Sequence, residues 1–391
     1  MVRALGIDPG TKSFDLVLID GPKVVKEVSI ETVEVAKDPK VLTEAIKELG
    51  ADVIAGPSGY GTPLVFNYEI RDPRGFALEV LLLSSEEDIR EGLRRGELGI
   101  AVYDALAKVV EDLWREGLNV CYIPSVKLLP TVPKYRKINK LDMGTADKLA
   151  ATVLGIYDES RRLGIDYSEV SFIYVELGFG YNAVIGVEGG RVVDGLGGTL
   201  VPMGFLTIGP VDTELVVAGR SWSRSDVFHG GVSDVCGVGS IEELISRLGS
   251  GECLDAFKAM IDSVIRAVHS IKATSVKEPK EVLLSGRLVR YGEVRKAIEE
   301  GLKGIAPIRR VSGLDGASVS KEAAQGYALI AEGLAGGYFS DLVSHVGIRE
   351  ARGTLGDYLY HPKLKGLRDR LVRAYRKYLR EEVLSRVLLG T

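Results

Sequence analysis

The feature that most constrains this chain is a repeat. Ala4 to Val25 reads ALGIDPGTKSFDLVLIDGPKVV, and Tyr174 to Val193 reads YVELGFGYNAVIGVEGGRVV. Shifting the chain by the 168 residues that separate Asp8 from Glu176 lays one stretch on the other without a gap. Gly10 then falls on Gly178, Gly21 on Gly189, Lys23 on Arg191, and Val24-Val25 on Val192-Val193. Each copy reads as an apolar strand, a Gly loop, a second strand, a Gly turn and a third strand. One supersecondary unit opening each half of a chain predicts two domains of one topology.

The first Gly loop, Asp8 to Ser13, carries a carboxylate, a glycine, two hydroxyls and an ammonium within six residues. Gly10, Thr11, Lys12 and Ser13 can turn N–H groups, hydroxyls and positive charge toward a phosphate. Asp8 would repel a bare phosphate. It suits a hydrated Mg²⁺, which keeps several waters and takes few protein ligands. In the second copy Gly178, Gly180 and Asn182 stand as phosphate-side groups, and Glu176 as the metal-side acid matching Asp8. A Gly-Thr turn between strands is usually just a turn. The shared register is what makes these two loops candidates.

These residues resemble the actin-like ATPase superfamily of sugar kinases, acetate kinases, actin and heat-shock chaperones. Ala4–Ile19 resembles its first phosphate loop and Tyr174–Val187 its second. More closely, the whole chain resembles an archaeal family described as predicted butyrate kinases. The resemblance implies an α/β fold: two ribonuclease-H-like domains of duplicated topology around a nucleotide cleft, with ATP and Mg²⁺ as cofactors. It places Gly286 and Arg287, in a strand–turn–helix, beside the base or ribose. The expected domains are 1–168, 169–345 and a helical extension, 346–391.

At 391 residues and 46% hydrophobic content the chain can bury two cores. A net charge of −4 offers nothing to recruit nucleic acid or an anionic membrane. Cys121, Cys236 and Cys253 lack metal-ligand spacing and read as reduced thiols. With no signal-like leader and no apolar run of membrane length, the expectation is a cytoplasmic protein, with a homodimer as the candidate assembly, acting on a small molecule and a nucleotide.

Several other stretches carry expectations. Gly56 to Pro63 is a Gly/Pro/Ser loop after a short strand, a common place for a substrate in open α/β sheets. Glu79–Leu83 reads as a strand, and Ser84 as the cap of a helix Ser85–Arg95. Lys127 to Lys148 is basic, and Asp142 and Asp147 in it flank the start of a helix Ala146–Leu163. Either is a candidate general base or holder of a metal-bound water. From Lys363 to Arg386 nine Lys/Arg face three acids with apolar residues at helical spacing, which reads as one docking helix with a solvated basic face.

The second half resembles the acyl kinases at Leu177-Gly178-Phe179-Gly180, at Gly190–Asp194 and at Gly197–Pro202. It departs from them where they act. Their His-Gly-Thr-Ser-His corresponds to Met143-Gly144-Thr145-Ala146-Asp147, an essential Asp is replaced within Ile123-Pro124-Ser125, and an Arg is missing from Thr207–Asp212. Such groups stabilise the transferring phosphoryl. The leading expectation is an ATP- and Mg²⁺-dependent phosphotransferase acting on a small acid or alcohol, with a butyrate-kinase-like activity as the candidate the resemblance implies. A noncatalytic ATP-binding switch of the same fold is the alternative. Gly6–Thr11 also resembles a junction-resolvase-like nuclease, which would cluster several acids around two metals.

Overall fold

In the computed structural model, residues 2–389 are described apart from 201, 224 and 250. Val201, in the Gly197–Pro202 stretch, therefore lies outside the described residues. Two compact units emerge. The first comprises Met1–Leu141, Thr145–Arg162 and Ser312–Thr391, and the second comprises Asp142–Gly144 and Leu163–Val311. The stretch from Ser312, expected to belong with the second half up to 345, packs in the first unit, and so does the extension from 346.

The first unit holds six strands: β1 Arg3–Pro9, β2 Ser13–Asp20, β3 Lys23–Glu31, β4 Val53–Ala55, β5 Val65–Phe66 and β6 Val120–Tyr122, in the order β3-β2-β1-β4-β6-β5. The second holds β7 Ser171–Leu177, β8 Asn182–Glu188, β9 Arg191–Leu196, β10 Glu281–Ser285 and β11 Ile308–Arg310, in the order β11-β10-β7-β8-β9. Read from β9, the second sheet repeats the first up to β6. In both, an antiparallel three-strand meander adds parallel strands beside its first member.

The register repeats as well. Arg3 pairs with Asp20 and Asp8 with Asp15, while Ser171 pairs with Glu188 and Glu176 with Ala183. The second ladder slips between Leu18 and Ile19 in one unit and between Gly186 and Val187 in the other. Those positions are again 168 residues apart. A β-bulge is a built feature that alters local twist, so its recurrence at one offset is strong support for duplication. Gly21 and Gly189, at φ 55° and 57°, supply the left-handed turn that follows in each unit.

β1 is central in its sheet and almost wholly buried, which is why it reads as an apolar run. The Glu322–Leu334 helix lies directly on it, and Gly6 permits that approach. A Cβ there would meet Ala324 O at 2.1 Å and Ala328 N at 2.3 Å. This packing draws the stretch from Ser312 into the first unit. Leu5, Ile7, Leu16, Ile54 and Val120 form its core, joined by Ala374, Tyr375 and Tyr378 from the Lys365–Tyr378 helix. The expected C-terminal helix does dock there, but it breaks, and Glu381–Val387 forms a separate helix. In the second unit Ile173, Val175, Val184 and Leu284 pack under Met260, Val264 and Val268 of the Glu252–Thr274 helix.

Two local expectations change. Phe76–Leu81 is a π-helical turn, not a strand at Glu79–Leu83. A short apolar run cannot by itself separate buried helix from buried strand. The Glu86–Arg95 helix is capped by Ser85, not Ser84, with Asp88 closing the capping box.

Candidate active site

In the first unit the sheet delivers Asp8 at the end of β1, 3% exposed. Oδ2 of Asp8 lies 2.7 Å from Lys321 Nζ, which also donates to Ser13 O at 3.1 Å. Asp15, opposite Asp8 on β2, accepts from the hydroxyls of Ser13 and Ser29 and from the N–H of Lys321. Ser13 thus braces Asp15 within the loop, while Thr11 and Lys12 are exposed at its tip. A Cβ at Gly10 would lie 2.1 Å from Lys321 Nζ and 2.8 Å from Ser13 O, so the glycine leaves the room that the lysine end occupies.

Asp147, in the first turn of the Ala146–Leu163 helix, acts electrostatically on Asp8. It accepts from Lys148 Nζ at 2.8 Å and from the Thr145 hydroxyl. Burial pushes the Asp8 carboxyl above its ordinary value; Lys321 opposes this and Asp147 adds to it. Burial acts on Asp147 too, but Lys148 and Thr145 outweigh it and hold its carboxyl below the usual value. Two neighbouring carboxylates are thereby driven apart in acidity, as acid–base pairs often are. The Tyr327 phenol is buried against them, and burial, then Asp147 and Asp8, pushes its pKa well up.

Asp142 belongs elsewhere. It lies in the second unit, where its Oδ1 accepts the N–H of Gly144 at 2.8 Å. It packs on the Gly197-Gly198 turn, where a Cβ at Gly198 would meet Asp142 Oδ2 at 2.6 Å. Of the two aspartates offered as bases, Asp147 is the one brought to Asp8. Glu176 ends β7, 7% exposed, at the place of Asp8 in the repeat. Gly178 closes a tight turn, its N–H donating to Tyr181 O at 3.1 Å. Gly180 offers its carbonyl to the Thr207 hydroxyl. Asn182 is fully buried and donates to Met203 O at 2.8 Å, so its amide holds the loop rather than presenting itself at the surface. Gly286, at φ 93°, abuts the Leu177 backbone, where a Cβ would lie 2.5 Å from Leu177 O. Arg287 begins the turn after it.

Lys321, Tyr327 and Ser58 were not singled out from sequence as site residues. Ser58 lies in the Gly56–Pro63 loop, fully buried, donating to Gly56 O and accepting the N–H of Ile123. A lone Lys before a helix carries no local signal. Among the described residues no group of three or more His, Cys, Asp and Glu stands together as a metal site, which the two-metal nuclease reading requires. A hydrated Mg²⁺ is held by one or two carboxylates and otherwise by water and phosphate, and Asp8, at the end of β1 beside the loop, can offer one of them.

The fold is that of the actin-like ATPase superfamily. A propionate kinase from Francisella tularensis subsp. tularensis SCHU S4 superposes with a TM-score of 0.56 at 13% identity, covering 83% of this chain and 99% of that one. Acetate kinase from Entamoeba histolytica gives 0.51 at 14% identity, covering 77% and 86%. Porphyromonas gingivalis acetate kinase gives 0.50 at 14% identity, covering 78% and 88%. The model of the family described as protein of unknown function DUF1464 matches residues 6–361, and the chain belongs to that family. No curated protein matches it.

Proposed function

We propose that this chain binds ATP with Mg²⁺ and transfers the terminal phosphoryl group to a small molecule. One observation carries the reading: Asp8 is buried at the end of β1 beside a Gly-hydroxyl loop, its Oδ2 2.7 Å from Lys321 Nζ, and the half-buried Asp147 acts on it electrostatically. Asp8 would hold the hydrated ion, and Mg²⁺ would supply charge stabilisation for the phosphoryl oxygens. Gly10, Thr11 and Lys12 would line the phosphates in the first unit. In the second unit Glu176, Gly178, Gly180, Gly286 and Arg287 line the repeat of that loop, which Asn182 shapes. Thr145 and Lys148 keep Asp147 ionised.

The acceptor class follows from proton bookkeeping. A short-chain acid is already ionised at pH 7 and has no proton for a base to take, whereas an alcohol has one. A carboxylate kept ionised, as Asp147 is by Lys148 and Thr145, can accept it and therefore supports a hydroxyl acceptor over the butyrate-kinase-like reading. The bond from the terminal phosphorus to ADP breaks, the bond to the acceptor oxygen forms, and the hydroxyl proton passes to Asp147. Coupled ADP-release assays over polyols, sugars and short-chain acids test this. Turnover confined to acids would contradict the acceptor assignment. A second reading, an ATP-binding switch without turnover, has one specific observation in its favour: Lys321 already neutralises Asp8. Tight Mg-ATP binding with no ADP release over the whole panel would select it.

A further inference from the structure

Lys321 is held by its main chain from two sides. Its N–H donates to Asp15 Oδ2 at 3.1 Å. The three residues before it are held by Glu27, whose carboxylate accepts the N–H groups of Ser318, Val319 and Ser320 at 2.9, 3.0 and 3.0 Å, and both serine hydroxyls. This scaffold brings Nζ within 2.7 Å of Asp8 Oδ2, with Asp15 at 3.8 Å. The backbone is fixed, but the ammonium rides on a four-carbon stem with several rotatable bonds. Gly10 keeps the space in which it sits.

We propose that Lys321 competes with a divalent cation for Asp8, so that the metal enters together with the nucleotide, whose phosphates receive the displaced ammonium. This rests on reading Asp8 as the metal carboxylate. Two cations cannot share one buried carboxylate oxygen without strong repulsion where screening is weak. A bare ion must therefore displace Lys321 into surroundings that offer its charge no anion. A metal–nucleotide complex brings phosphate oxygens, which pair well with lysine. Lys321 thereby favours the loaded nucleotide over free metal, a preference that a loop with only carboxylates would lack.

The test is Mn²⁺ binding to the full chain, read by electron paramagnetic resonance with and without a nonhydrolysable ATP analogue. Lys321→Gln should bind Mn²⁺ alone at least tenfold more tightly than the parent, and Lys321→Arg should not. Lys321→Gln binding Mn²⁺ alone no better than the parent overturns the proposal when Asp8→Asn lowers binding in the presence of the analogue. An Asp8→Asn variant that, with the analogue present, binds Mn²⁺ like the parent removes the metal reading itself, and the proposal with it. A second measurement uses the parent alone and does not depend on a variant folding. Acylation of Lys321, read by mass spectrometry, should rise severalfold or fall to nothing when Mg²⁺ and the analogue are added together, as the ammonium leaves Asp8 for solvent or phosphate. Labelling that is the same with and without them overturns the proposal.

Discussion

Glu27, on β3, accepts both the backbone N–H and the hydroxyl of Ser320, a residue 293 positions further along the chain. With Ser318 and Val319 added, one carboxylate ties the approach to the Glu322–Leu334 helix onto the edge of the first sheet. Burial alone would raise its pKa, but the hydrogen bonds from Ser320, Val319 and Ser318 win and hold it at about 2. A depressed carboxyl contributes stability that is full above its unfolded value of about 4.5 and is lost as pH falls toward about 2. The difference in urea midpoint between the parent and Glu27→Gln should be steady from pH 7 to 5 and shrink below that. A difference that stays constant down to pH 2.5 would mean the carboxylate charge plays no part.

Gly6 and Gly10 separate packing from chemistry. At Gly6 an added Cβ meets helix backbone, which cannot move aside, so Gly6→Ala should destabilise by about 3 kcal/mol or more. At Gly10 the first obstacle is the end of a lysine side chain. Gly10→Ala should therefore fold, with a small loss in melting temperature, yet bind Mg-ATP at least tenfold more weakly. Equal thermal losses for both would undo the distinction.

The C-terminal helix is part of the first unit's core. The Tyr375 hydroxyl lies 2.9 Å from the Thr62 hydroxyl with both groups buried. Tyr375→Phe should cost about 1 kcal/mol, the usual net value of a buried hydrogen bond. Tyr375→Ala should cost about 3–5 kcal/mol, because it also opens a cavity. Chemical denaturation of the full chain measures both, and a near-neutral Tyr375→Ala would show that the helix merely rests on the surface.

The duplication was legible because its signal is local twice over: apolar alternation, an acid, and glycines at turns that need positive φ, as at Gly21 and Gly189. The bulge shared by Leu18 and Gly186 had no sequence mark, since a register slip follows from twist and not from residue type. Asp8 could be chosen from its loop. Lys321 could not, for its partner is 313 residues away and its neighbours form an ordinary helix start. Asp142 and Asp147 looked equivalent in sequence, and the chain sends them to different units. Phe76–Leu81 failed for the opposite reason: an apolar run buried on all sides has no period to read.

The central claim is that Asp147 serves phosphoryl transfer beside Asp8. Its most direct test is single-turnover release of terminal phosphate from labelled ATP, with and without acceptor, set against ATP binding for the parent, Asp147→Asn and Asp142→Asn. The expected result is a fall of about 10²–10⁴ in rate for Asp147→Asn, with ATP affinity nearly unchanged and Asp142→Asn close to the parent. An Asp147→Asn variant that transfers phosphoryl as fast as the parent would contradict the account.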